Sequence, residues 1–266
     1  MRHRMKVFRS VSVNSNVCPP DLYKEIVRLW PAGVRHSTFH VEAQPGDVEN
    51  ARLVDQIVTF CKQRGLDQVR GAYSLRVAPV YEATDFEGAP LLWLVAQKKM
   101  FKGINSNIRD ERGRIVLPAT EARASIKIAS VFPEPWIIVS SSTRRTLESA
   151  GLIGMGFEEV AIKGQSIHLA PEPFWEVRST VTLPKMLNSV INPPDLGLSQ
   201  YTINDPYVEP HYGQSEIQAL GAFDIAHTLE RGGRSDSQEL IVSQRFYQYC
   251  LKHKIPLQVR PVRIDQ

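Results

Sequence analysis

Two segments of this 266-residue chain carry the same pattern about a hundred positions apart. Each begins with a short apolar run that ends in serine, Ile137–Ser140 in the first segment and Leu240–Ser243 in the second. The two serines lie 103 positions apart, and one deleted residue later brings Val160 onto Val262. The pattern therefore predicts that each segment forms a strand, a serine cap, a short helix and a closing strand.

The residues inside each copy support this local structure. Ser140 or one of its two neighbours in the first copy, and Ser243 in the second, are suited to accept a hydrogen bond from the exposed backbone N–H groups at a helix start. Gly151 suits a left-handed helix stop in the first copy, and Pro256 prevents the second helix from continuing. Neither copy contains a recognisable catalytic set. A repeated packing unit of this kind favours a scaffold that binds something, and it disfavours an enzyme.

The composition is that of an ordinary folded protein, with 42% apolar and 23% charged residues. Eighteen prolines and sixteen glycines predict many loops and short strands. Strands and helices alternate without a regular β-α-β order, which predicts an α+β fold with mixed or antiparallel sheets and short packed helices. The proline-rich stretch 133–135 indicates an N-terminal α+β region over 1–130 and a C-terminal α+β region over 131–266, unless the two pack as one domain.

The chain is weakly basic, with a net charge of +4 and a pI of about 9.0. Much of the excess lies in Arg2, Arg4, Lys6 and Arg9. A basic start of this kind makes weak nucleic-acid binding one alternative function. No basic stripe with interleaved aromatic residues follows, which favours a solvated terminus instead.

The cysteines and the apolar runs predict a cytoplasmic protein without a membrane segment. Cys18, Cys61 and Cys250 are too widely spaced for a disulfide framework or a zinc pair. Residues 1–17 lack the apolar core of a signal peptide. The longest apolar run, Leu91–Ala96, is too short to cross a bilayer.

Two groups of side chains are candidates for chemistry. His36, His40 and Glu42 would share one face of a strand, so a metal-dependent hydrolase is a second alternative function. A proline-broken loop carries Asp205, Glu209, His211 and Glu216, a set capable of acid–base chemistry. In both cases the simpler interpretation is a polar surface, since nothing in the sequence fixes the geometry.

Two further patterns favour structural roles. Gly151, Gly154 and Gly156 form GxxGxG, but they follow a helix and precede a strand, the reverse of a dinucleotide site. They predict a helix stop and a turn. The aromatic residues Trp136, Phe174 and Trp175 are either interface anchors or core residues, and their place beside apolar strands favours the core.

The repeat resembles segments found in immunity proteins of bacterial polymorphic and contact-delivered toxin systems, in particular relatives of the double-CxxCG immunity family. The matching residues are Pro135–Ser140 with Leu147, Glu148, Gly151, Leu152, Gly154, Phe157 and Val160, and then Phe223–Ile225, Ile241–Phe246, Ile255, Pro261 and Val262. The paired CxxCG motifs are missing, because no two cysteines are closer than 43 positions. A metal site is therefore not expected from the resemblance.

The resemblance implies a cytoplasmic protein that binds a cognate toxin and occludes its active site. Such a protein needs no catalytic residue and no cofactor. Its partner would be a protein toxin, encoded next to it, rather than a membrane or a nucleic acid. The contact residues and the oligomeric state are not determined by the sequence.

Overall fold

The computed structural model describes residues 6–35, 38–69, 71–102, 109–119, 122, 125–132, 136–164, 173–191, 201–203, 209–232 and 237–265. The chain divides into two units, Met1–Glu82 and Ala83–Gln266. Both combine antiparallel or mixed sheets with short helices, which confirms the predicted α+β class. In the described part of the chain, no helix is both long and apolar enough to cross a membrane.

The first unit is a four-stranded antiparallel sheet with two helices. Its elements are β1 (Lys6–Asn14), α1 (Pro20–Leu29), β2 (Val34–Arg35), β3 (Thr38–Ala43), α2 (Val48–Gln63) and β4 (Tyr73–Val80). The strand order is β2-β3-β1-β4. Asp47 caps α2 by accepting a hydrogen bond from the Asn50 N–H at 3.0 Å, and Gly65 follows the helix with a left-handed φ of 69°. The apolar side of α2 packs with the strands in one core, as its periodicity predicts.

The second unit contains most of the strands. Its elements are α3 (Ala83–Gly88), β5 (Leu91–Leu94), β6 (Met100–Lys102), β7 (Val116–Pro118), β8 (Ile128–Phe132), β9 (Trp136–Ser140), α4 (Ser141–Glu148), β10 (Met155–Glu159), β11 (Ala161–Lys163), β12 (Phe174–Ser179), β13 (Ser189–Ile191), β14 (Tyr201–Ile203), β15 (His211–Gly213), α5 (Gln214–Ala219), β16 (Ile225–Gly232), β17 (Ser237–Ser243), α6 (Gln244–Lys252), β18 (Val259–Pro261) and β19 (Arg263–Asp265).

Two sheets organise this unit. The first sheet has the order β10-β12-β9-β8-β6, and the second has the order β16-β17-β5-β18. Side chains from both sheets and from helices α4 and α6 meet in one core, which includes Val139, Leu147, Val242 and Phe246. Each sheet also has an outer apolar face, covered by residues near β7 and β11 in one case and near β15 in the other.

This arrangement differs from the expected boundary between residues 130 and 131. β5 pairs with β17 and β18, and β6 pairs with β8, so residues 91–102 are built into the same sheets as the C-terminal strands. The division lies between Glu82 and Ala83 instead. The proline-rich stretch 133–135 lies outside the described residues.

The two predicted serine caps have the same geometry. Ser140 has φ −70° and ψ 161° and accepts a hydrogen bond from the Thr143 N–H. Ser243 has φ −72° and ψ 161° and accepts one from the Phe246 N–H. The predicted repeat is therefore confirmed at the start of both helices.

The duplication also holds in the register across the sheets. Side by side in the first sheet lie Glu159, Trp175, Val139 and Ile128. Side by side in the second lie Pro261, Leu92, Val242 and Ile225. Each residue in the second row is the counterpart of the one in the first. The duplication therefore includes the strands of the two sheets as well as the helices α4 and α6, and the two repeated segments are copies of one fold.

The outer layers extend the duplication beyond the segments that the sequence pattern reveals. β11 pairs in parallel with β7, and β19 pairs in parallel with β15 in the matching register. We therefore define copy A as residues 90–163 and copy B as residues 173–265. Copy B additionally carries the β13–β14 pair and α5.

The two copies exchange their first strands. β5 belongs to copy A but lies in the second sheet, between β17 and β18 of copy B. β12 belongs to copy B but lies in the first sheet, between β9 and β10 of copy A. Because each sheet is completed by a strand from the other copy, neither copy can form its native sheet alone.

Candidate functional site

A cavity of about 310 Å³ opens at one end of the first sheet. We call it the asymmetric cleft, and we define it by Arg109, Trp136, Glu176, Arg178, His227 and Arg231, which line it. Trp136 comes from β9, Glu176 and Arg178 from β12, and His227 and Arg231 from β16. The cleft thus lies where copy A and copy B meet.

The cleft is a departure from the internal duplication. In the second sheet, Leu94 of β5 pairs with Leu240 of β17. Their counterparts in the first sheet are Val177 and Ile137. The paired register between β12 and β9 ends one position before these two residues, and both of them line the cleft. The strand pairing in the second sheet therefore continues past the point where the pairing in the first sheet ends.

A buried carboxylate organises the charges of the cleft. Glu176 is only 2% exposed and accepts two hydrogen bonds from Arg109, at 2.8 and 3.0 Å. Arg178 Nη2 lies 3.0 Å from the same carboxylate and also donates to Glu158 at 2.8 Å. Such paired bonds between guanidinium and carboxylate groups are strong and directional, so they hold both arginine side chains in place.

An aromatic contact fixes Arg109 from the other side. Its guanidinium carbon lies 3.9 Å from the centre of the Trp136 ring, a cation–π distance. Trp136 is one of the candidate anchors from the sequence, and its side chain is half-buried at the edge of the outer core. It therefore serves both the core and the wall of the cleft.

His227 stands where copy A has a small residue. Its counterpart is Ser130, whose hydroxyl accepts the Gln97 N–H at 2.6 Å. In the same way His227 Nε2 accepts the Ser179 N–H at 3.1 Å. Burial lowers the pKa of His227, the charges of Arg178 and Arg231 lower it further, and an interaction with the backbone of Glu239 opposes them. The imidazole is thus held neutral between cationic neighbours.

A bulge in β16 separates His227 from Arg231. The register with β17 shifts between these two residues. Within the bulge, the Thr228 hydroxyl accepts the Glu239 N–H at 3.0 Å and so replaces a backbone partner. Bulges of this type redirect side chains, which is consistent with both His227 and Arg231 lining one cavity.

The remaining aromatic candidates are mainly structural. Phe174 is fully buried in the outer core of the first sheet. Trp175 packs against the central core, donates its indole N–H to Ser141 Oγ at 2.9 Å, and lies under the guanidinium group of Arg144 at 3.7 Å.

The glycine pattern forms the predicted helix stop and turn. Gly151 has φ 59° directly after α4. Gly154 has φ 85°, and a Cβ atom there would lie 2.8 Å from the Ile225 carbonyl oxygen. Glycine is required at this position because copy A and copy B approach each other closely.

Part of the His36, His40 and Glu42 group forms a hydrogen-bonded chain in the first unit. Ser12 Oγ lies 2.6 Å from His40 Nδ1, and His40 Nε2 lies 2.8 Å from Glu42 Oε1. Ser12 faces His40 across β1 and β3, so the sheet register itself brings the three side chains together. His36 lies outside the described residues, as do Arg2 and Arg4 of the basic start.

The proline-broken loop contributes only one pair of candidates. Glu209 Oε2 lies 3.4 Å from His211 Nε2, and both side chains are largely buried. Glu216 lies on α5, where hydrogen bonds from Ser215 and from its own backbone lower its pKa. Asp205 is outside the described residues. Within the described ranges, no three histidine, cysteine, aspartate or glutamate side chains are placed to hold a metal ion.

Sequence reasoning did not single out most of the cleft. Glu176 and Arg178 are isolated charges in an apolar strand, and this alternation was the available signal, because residues two apart share one face. Arg109, His227 and Arg231 carry no motif. Nothing matches this chain among protein-family models, curated proteins or solved structures.

Proposed function

We propose that this chain is a cytoplasmic immunity protein, which binds a cognate bacterial toxin and neutralises it by covering the toxin's active site. The resemblance of the β9–α4 and β17–α6 segments to immunity proteins suggests the partner. The observation that carries a binding role is the asymmetric cleft, because it is the place where one copy of a duplicated scaffold departs from the other.

The chemistry of the cleft supports binding in preference to catalysis. Arg109 and Arg178 are both held by Glu176, and His227 Nε2 is occupied by a backbone N–H. A fixed polar surface of this kind suits recognition, in which specificity depends on the placement of donors and acceptors.

The interlocked scaffold also suits an inhibitor. Each sheet depends on a strand from the other copy, so the walls of the cleft cannot separate without opening both sheets. A surface that is rigid before binding loses less conformational freedom on association. Stable inhibitory interfaces bury on the order of 1,600 Å² in total, far more than the cleft alone, so we expect the cleft to be one part of a wider contact.

The test is co-expression with the product of the adjacent gene. We expect the two proteins to co-purify at a fixed stoichiometry and the chain to rescue cells from the toxicity of that product. A charge reversal in the cleft, Arg231→Glu, should reduce rescue, whereas Arg28→Glu on the exposed surface of α1 should not. Absence of both a complex and rescue would refute the proposal.

One observation favours a second candidate, a serine hydrolase that uses Ser12, His40 and Glu42. The hydrogen-bonded chain supplies a hydroxyl, a base and an orienting carboxylate. Against it, Ser12 lies on a central strand that pairs on both sides, which occupies the backbone N–H groups that would stabilise an oxyanion. A fluorophosphonate should label wild-type protein and not Ser12→Ala if this site is active; equal absence of label in both excludes it.

A further inference from the structure

We propose that the first unit binds single-stranded nucleic acid on the face of its sheet that the helices leave uncovered. We call this surface the open face, and we define it by Phe8, Ser10 and Ser12 of β1 and by the residues opposite them on β3 and β4. This is a second binding function, which uses none of the residues of the asymmetric cleft and does not depend on the proposed toxin. It follows from the topology of the unit, from the side chains that the register brings together and from the distribution of charge.

The helices of the first unit cover only one side of its sheet. Val11 and Val13 of β1 pack with the apolar sides of α1 and α2 in one core. Because successive residues of a strand point to opposite faces, the residues that define the open face point away from this core. Among them, Ser74 and Arg76 of β4 are exposed, and His40 of β3 is partly exposed. A four-stranded sheet with an accessible face is the surface on which RNA-binding modules stack bases against aromatic side chains.

The register places an aromatic ring and a guanidinium group side by side on the open face. The guanidinium carbon of Arg76 lies 5.9 Å from the centre of the Phe8 ring, a cation–π distance. Among the described residues, Arg76 has no carboxylate partner, and its side chain is exposed. Bases stack on aromatic rings and on guanidinium planes, and a guanidinium group also binds phosphate. The pair therefore offers both kinds of contact that a nucleotide makes.

A second flat ring is fixed further along the open face. His40 Nδ1 lies 2.6 Å from Ser12 Oγ, and His40 Nε2 lies 2.8 Å from Glu42 Oε1, so both ring nitrogens are held. Ser12 is four residues from Phe8 along β1, or about 13 Å, which spaces the imidazole and the phenyl ring for different bases of one strand. Glu42 is the one acidic side chain among the described residues of the face, and a carboxylate there accepts a hydrogen bond from the amino group of a base.

The net charge of the chain lies entirely in the first unit. Residues 1–82 contain 12 lysines and arginines against 8 aspartates and glutamates, a net charge of +4, whereas the second unit contains 20 of each. Arg2 and Arg4 directly precede β1, the strand that carries Phe8. Positive charge of this kind attracts the phosphate backbone. The sequence shows no interleaved basic and aromatic residues, because Phe8 and Arg76 lie 68 positions apart and meet only through the sheet.

The test is titration of the full chain into a fluorescently labelled oligouridylate of about ten nucleotides, followed by anisotropy at about 50 mM salt. We expect saturable binding with a dissociation constant of roughly 10 to 100 µM, which weakens as the salt concentration rises. A duplex of the same length should bind more weakly, because its bases are already stacked on one another. Polyglutamate should not compete at an equal concentration of charge, because it has no rings to stack.

Matched variants locate the interaction. Phe8→Leu keeps an apolar side chain but removes the ring, and it should weaken binding by at least about fivefold. Arg76→Gln should weaken binding and also reduce the slope of log K against log salt concentration by about 0.7, the value for one phosphate contact on a single strand. Arg28→Gln removes the same charge from α1, on the other side of the sheet, and should leave both quantities unchanged. Fluorescence of Trp30, the one tryptophan in the sequence of the first unit, establishes that each variant is folded.

Several results would overturn the assignment. These are no saturable binding by the wild-type chain, equal binding of the duplex, full competition by polyglutamate, and equal losses in Arg76→Gln and Arg28→Gln. If Phe8→Leu is folded and binds fully, while the double variant Arg2→Gln and Arg4→Gln does not bind, the site is the basic start and the open face fails. A toxin complex without binding of the oligonucleotide would refute this inference alone, and the reverse result would refute only the proposed function.

Discussion

Replacement of Asp224 by asparagine tests whether the two copies are held together by one buried carboxylate. Asp224 is 3% exposed and immediately precedes β16. It accepts hydrogen bonds from Ser243 Oγ at 2.7 Å, from the Ile153 N–H at 2.9 Å and from Arg245 at 2.8 Å. Ile153 belongs to copy A and the other two residues to copy B, so Asp224 links the copies.

The expected loss can be worked from these three bonds. A hydrogen bond to a charged acceptor exceeds a neutral one by about 1 kcal/mol, so the bonds from Ser243 and Ile153 account for about 2 kcal/mol. Arg245 is more than half exposed, and solvent screening limits its part to about 0.5 kcal/mol. We therefore expect Asp224→Asn to lower the free energy of unfolding by about 2 to 2.5 kcal/mol.

Urea unfolding measures this loss, and the duplication supplies a matched control. In a Trp30→Phe background, the remaining tryptophans all lie in the second unit and report on it alone. Lys127 occupies the counterpart position in copy A, but it is exposed, and within the described ranges its amine donates to the Lys254 carbonyl alone. Lys127→Ala should change stability by no more than about 0.5 kcal/mol. Equal losses in both variants would refute the reasoning.

Three other predictions follow from the same structure. Lys254 has φ 54° where its counterpart Gly151 has φ 59°, a left-handed backbone conformation that favours glycine. Lys254→Gly should therefore raise the free energy of unfolding by about 0.5 to 1 kcal/mol, and Gly151→Ala should lower it by about 1 kcal/mol. Urea denaturation measures both changes. The pKa of His227 is lowered from 6.5 by burial and by Arg178, so the unfolded chain binds the proton more readily than the folded protein. As the pH drops below about 6.5, the stability of the wild-type protein should therefore fall more steeply than that of His227→Gln. A result with parallel pH profiles would contradict this. Burial raises the pKa of Cys61 to about 11 and that of Cys250 to about 12, so a thiol reagent at about pH 8 should modify both only after unfolding.

Local features of the fold were predictable from the sequence. The matching serines predicted the starts of α4 and α6, and Gly151 predicted the left-handed stop after α4. These features depend on residues within one or two helical turns of each other. Their signals are therefore complete within short windows of sequence.

The sheet partners and the cleft were not predictable in this way. β5 is an apolar run that could pair with any other, and its partner β17 lies about 146 positions away. The place of β5 in the second unit likewise depends on that distant pairing. Glu176 gains its significance only when Arg109, 67 positions away, reaches it. Such contacts come from tertiary structure, which leaves no local pattern.

The exchange of first strands sets the order in which this protein becomes native during translation. At about 5 to 20 residues per second, β5 is synthesised roughly 7 to 30 s before the β17 strand that it joins. Throughout that interval the Leu91–Leu94 segment is an unpaired apolar edge, the kind of surface that favours aggregation. We expect the yield of folded protein to depend on whether this segment is kept from aggregating before β17 is synthesised. Expression at low temperature or with added chaperones should therefore give more folded protein than codon changes that delay synthesis of the C-terminal strands.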